Sequence, residues 1–206
     1  MGSPSSVTVG SGCEWLETTV LRPCKLRDTR GAIPGRLDLT RARDVRRSRM
    51  SGMYTALVVA HSLLRWVVLG LAVVALVRAV SGWSGGRPWT GGDEQVNRFF
   101  VIAFDLQVLI GLILYVGLSP MTQAAFQDFG AAMGNSVLRF WAVEHIFGML
   151  AAVALVHIGR VRARRAVEPA ARHRTTAIFF GLALLITLLT IPWPFMPAAR
   201  PLFPSF

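Results

Sequence analysis

Four stretches of the chain are long and almost unbroken in their apolar character, and what separates them is short, polar or rich in Gly and Pro. The first, 54–80, is almost wholly apolar yet carries His61 and Arg65 well inside. Its length predicts a transmembrane helix over about 53–79. A Gly- and Trp-rich loop follows, with Trp83 and Trp89 suited to a membrane surface. Thr90 and Asp93 then read as a capping box that opens a second helix, with wet first turns (Asp93, Glu94, Asn97, Arg98) and a membrane part over about 99–118 broken only by Asp105 and Gln107. Ser119-Pro120 has the form of an N-cap followed by Pro at the first helical position. The next segment, 121–133, spaces Phe126, Phe129 and Met133 along one face and predicts a short amphipathic helix lying in the interface, ended near Gly134. A third crossing is expected over about 137–159, running into a basic extension, and a fourth over about 175–191, stopped by Pro192 and Pro194. The expected fold is an all-α integral membrane protein, a four-helix transmembrane bundle with an interfacial helix between crossings two and three.

Composition agrees. Of 206 residues, 53% are hydrophobic and 16% charged, and the mean hydropathy of +0.49 exceeds that of ordinary soluble domains. The formal net charge of +11 would suit nucleic acid, but the basic residues cluster outside the apolar runs, as membrane topology requires. No nucleic-acid partner is expected. Cys13 and Cys24 form no CxxC or CxxCH, which leaves no zinc-ribbon, thioredoxin or covalent haem-attachment pattern. Nucleotide loops, GxSxG and HExxH are also missing, so a soluble enzyme is not expected.

Residues 1–49 differ from the rest. They hold ten Lys or Arg and five Asp or Glu, with no signal-peptide core, and are expected to be disordered. Met50 and Met53 stand just ahead of the first span as alternative starts, so this segment reads either as a flexible basic tail or as sequence ahead of the true beginning of the domain 50–206. Arg160, Arg162, Arg164, Arg165, Arg172 and Arg174 place the loop 160–174 in the cytoplasm, with both termini outward, in the inner membrane of a bacterium.

Ionisable groups inside such helices are expensive and point to function. At 1.5 Å per residue, His61 lies about 12 Å from the outer end of the first crossing and His145 about 9–12 Å from that of the third. Two imidazoles at one level on neighbouring helices suit the two axial positions of a haem iron, and Gly148, Met149 and Ala152 next to His145 would let a flat ring approach. The plainer alternative is that each histidine hydrogen-bonds a neighbouring helix. Arg65, about 18 Å from the outer end, matches the depth of Asp105, about 20 Å from Leu118, and these two are expected to form an intramembrane charge pair. Glu144 is the second choice of partner, and Gln107 adds a polar contact. Glu144 points about 100° away from His145 and reads as orienting a neighbour or carrying a proton. His157 is expected at the inner interface and His173 in the basic loop, so at most one haem is expected.

HSLLRW on the first crossing, AVEH on the third and IPWPF at the close of the fourth resemble small bacterial four-helix membrane proteins loosely labelled cytochrome b-like. The resemblance covers about 50–203. It implies a four-helix bundle with His61 and His145 as candidate ligands of haem b, and a further histidine on the second crossing where this chain has Asp105-Leu106-Gln107. Three functions remain open at this point. One is a single-haem electron carrier exchanging electrons with a quinol or a redox partner protein. The second is a non-redox transport or assembly subunit of the DoxX-like kind. The third is a quinone-binding or proton-relay protein using Glu144, His145 and Asp105.

Overall fold

The computed structural model describes residues 34–201, with side chains from residue 41 onward. The chain divides into two compact units, Met1–Thr40 and Arg41–Phe206. In the first only the backbone of 34–40 is described, and it is helical. The expectation for 1–33 lies outside the described residues. Residues 34–49, by contrast, are not an irregular tail, because α1 runs from Pro34 to Ser84. Its side chains from 41 to 50 are all exposed.

The second unit is all-helical among the described residues. After α1 come α2 (Gly91–Ile113), prolonged by a π-helical turn at Leu114–Leu118, then the short α3 (Pro120–Gln127) and α4 (Phe129–Gly134). α5 (Ser136–Arg139), a second π-helical turn at Phe140–Glu144 and α6 (His145–Arg165) form one continuous rod, and α7 (Pro169–Thr190) closes the bundle. Among the described residues, four helices are long and apolar enough to cross a membrane: Arg41–Ser84, Gly91–Leu118, Ser136–Arg165 and Pro169–Thr190.

The local signals act as their chemistry requires. α1 ends where Gly86 takes a left-handed φ of 62° and the Arg87 amide reaches back to the Gly82 carbonyl at 3.1 Å, a closure that favours a residue without Cβ. Thr90 caps α2 and Asp93 returns the bond to the Thr90 amide. Ser119 caps α3 ahead of Pro120. The single amphipathic helix expected after it is broken in two, because Asp128 leaves helical geometry and caps α4 through the Ala131 amide.

All four long helices contribute to the core. Val68, Ala72 and Ala75 of α1 meet Phe100 and Phe104 of α2, Ala152 and Val156 of α6, and Phe180 and Ala183 of α7. Small residues facing large rings let backbones approach, and close packing rather than water exclusion is what holds helices together in lipid. Phe100 lies at 4.9 Å from Phe180 and edge-on to Phe104 at 5.7 Å between ring centroids.

At the end of the bundle holding the α1–α2 loop, the first turns of α2 are wet only in part: Arg98 is exposed and Glu94 half-buried. Asp93 and Asn97 are buried. The Asp93 carboxylate takes both arms of Arg87 at 3.0 Å and Nε of Arg78 at 2.9 Å, the partners that a buried carboxylate needs. The hydrogen bond to Asp93 raises the pKa of Arg87 above its ordinary value. His173, expected in a loop, stands instead in the first turns of α7, wholly buried against Trp89 at 4.9 Å. Gly82 of α1 makes room for it, since a Cβ there would strike the imidazole.

Candidate functional site

Toward the opposite end, α1, α2, α6, α7 and the segment after α7 enclose a cavity of about 120 Å³. Val68 and Phe104 line it at one end; Tyr54, Arg200 and Pro201 line it at the other. Between them lie His61, Arg65, Gln107 and His145. Depth counted from sequence had set the two histidines at one level, and the fold turns both toward one space.

Each imidazole is held differently. Nδ1 of His145 is 2.8 Å from the Thr190 carbonyl oxygen on α7. A carbonyl only accepts, so Nδ1 carries the proton and Nε2 keeps its lone pair. Gly148, one turn on, permits this bond: a Cβ there would strike the Thr190 side chain. Gly148 therefore seats α7, not a flat ring, and Ala152 lies in the core; of the three residues expected to clear space beside His145, only Met149 lines the cavity. His61 packs edge-on against Gly111 of α2, where a Cβ would come within 3.1 Å of its Cε1. Its backbone carbonyl accepts a bond of 3.0 Å from Gln107 Nε2. Buried with no hydrogen-bond partner are Nδ1 of His61 and Oε1 of Gln107, both on residues that line the cavity; such orphaned groups call for a partner.

The expected charge pair does not form. Arg65 faces the cavity, its guanidinium 5.5 Å from the Trp66 ring centroid, whereas Asp105 accepts from Nε2 of His157 on α6 at 2.8 Å. Depth matched but direction did not: Asp105 and Gln107 are about 200° apart around α2, and it is Gln107 that faces inward. Glu144 pairs with Arg139 at 2.8 Å, both about half exposed. The relay of Glu144, His145 and Asp105 is therefore not assembled, since only His145 lines the cavity.

Sequence reasoning missed the outer parts of the site. Arg200 reaches Tyr54 Oη at 3.2 Å and lies 4.9 Å from the Trp141 ring centroid. The two π-helical turns are tied by Tyr115, whose hydroxyl donates to the Ala142 carbonyl at 2.7 Å. π-turns have no simple residue signature, though they recur near functional sites. Arg200 and Tyr54 were legible only as a basic residue in a Pro-rich tail and an aromatic at a helix end. Among the described residues, no acidic side chain lines the cavity, and no group of three or more His, Cys, Asp or Glu is placed to hold a metal ion. No family model, curated protein or solved structure matches the chain.

The residues that could hold a metal-bound ring are His61 and His145. A histidine that donates Nδ1–H to a carbonyl while offering Nε2 is arranged as metal-ligating histidines are, and a second imidazole, Arg65 and Arg200 line the same cavity. The space is smaller than the roughly 300–1,000 Å³ of pockets that bury drug-sized ligands, so seating the ring requires the cavity to widen.

Proposed function

We propose that the chain is a membrane-spanning, b-type cytochrome-like electron carrier that holds one haem between His61 and His145. The observation that carries this reading is the bond from His145 to the Thr190 carbonyl, which in the neutral imidazole reserves the lone pair for Nε2, on a residue that shares its cavity with His61. Bound there, haem supplies a one-electron redox change. The protein's own groups do the rest. His145 is oriented by α7, His61 is braced by Gly111, Arg65 and Arg200 would make the cavity wall positive toward a bound group's carboxylates, and Phe104 and Val68 would keep the inner end dry. In this reading the bundle lies in the inner membrane of a bacterium, with 160–174 cytoplasmic and α3 and α4 in the outer interface.

The test is the visible spectrum of protein made with haem precursor and purified in mild detergent. A Soret band that is lost in both His61→Ala and His145→Ala supports the reading. A colourless wild type, or a spectrum indifferent to either replacement, removes it.

One further observation favours a second reading. A cavity of about 120 Å³ with an unpartnered acceptor at Gln107 Oε1 also suits the hydroxylated head group of a quinol. That reading expects quinone to co-purify with colourless protein and to be lost in Gln107→Leu.

A further inference from the structure

The Asp105–His157 pair is on the wrong side of its helices for the cavity. The two side chains are 44% and 51% exposed, on the outside of the α2–α6 seam. Counted from residue 99, where the membrane part of α2 begins, Asp105 lies about 9 Å inside it, and His157 lies about 5 Å short of Arg160, so this outer face is at the cytoplasmic-side margin of the lipid. Each residue satisfies only one polar atom of the other. The second carboxylate oxygen of Asp105 and Nδ1 of His157 face outward at the lipid margin, where water is scarce and such groups normally turn toward protein.

The surrounding face is also shaped for protein. Ala154, one turn before His157 on α6, is exposed, and Ile102 and Leu109, one turn either side of Asp105, and Val161, one turn after His157, are exposed as well. Small side chains gain nothing against lipid but let a second helix approach closely.

We propose that this seam is the interface of a homodimer, in which a second copy of this chain packs against α2 and α6 about a two-fold axis. The occupant follows from the chemistry of the patch. It presents one acceptor and one donor side by side, so a two-fold rotation sets His157 of each copy toward Asp105 of the other, and one patch completes itself twice. The contact is independent of what the cavity binds.

The experiment is single-molecule photobleaching of labelled full-length protein in liposomes over a range of protein-to-lipid ratios. Wild type is expected to dimerise as density rises. Asp105→Leu with His157→Leu, apolar and facing lipid, is expected to lower the dimerisation constant about tenfold or more, on the scale of two interhelical polar contacts. Ala154→Leu is expected to weaken it by sterics alone. Circular dichroism keeps folding separate from association. A wild type monomeric at all densities, or a double variant that dimerises as tightly as wild type, overturns the proposal.

Discussion

Nδ1 of His145 donates to the carbonyl oxygen of Thr190 across 2.8 Å, and the residue that allows it is Gly148, whose missing side chain is filled by Thr190 itself. The contact between α6 and α7 thereby sets the tautomer of a cavity-lining imidazole. The packing contact and the chemistry of the site cannot be altered separately.

Gly148→Ala tests this link. The new methyl has no room beside Thr190, so α6 and α7 part or Thr190 changes rotamer. A loss of about 1–3 kcal/mol is expected, as for other overpacked sites, read as a lower unfolding temperature in detergent. With it the His145 Nδ1–H resonance should lose its hydrogen-bonded shift.

Gly111→Ala acts on the other imidazole. A Cβ 3.1 Å from His61 Cε1 forces the ring to shift by a few tenths of an ångström. Alanine also favours helix over glycine by about 1 kcal/mol, so global stability should hardly change. The expected outcome is a stable protein with a displaced His61 Cε1–H signal and weaker retention of whatever the cavity binds.

Tyr115→Phe removes the 2.7 Å bond to the Ala142 carbonyl and keeps the ring against Phe126. About 1 kcal/mol of stability should be lost. The loss is local, so amide exchange should quicken in the π-helical turn Phe140–Glu144 more than in α7.

Asp93→Asn leaves Arg78 and Arg87 facing a neutral, buried amide. A cost of about 1–2 kcal/mol or more is expected from the weakened cap and unbalanced charge, measured by unfolding in detergent. The bond to Asp93 raises the folded pKa of Arg87. Stability from a raised basic group is present below its unfolded pKa and lost only as pH climbs through the folded one. On the Arg87 side the contribution should therefore stay constant through neutral pH.

The sequence by itself determined that there are four long apolar helices among the described residues, and the caps at Thr90–Asp93 and Ser119-Pro120. Run length and capping side chains are local properties of the chain, and a fixed rise per residue leads to similar expected depths for His61 and His145. Only the tertiary structure decided the rotation of each helix about its own axis. In a soluble helix an apolar stripe against a polar face announces that rotation; in a helix for lipid, core and outside are equally greasy. Asp105 therefore matched Arg65 in depth yet turned outward to His157, while Gln107 took the inward place. His173 looked like loop because its neighbours are basic, and it was buried by the gap at Gly82, a contact between residues far apart in the chain.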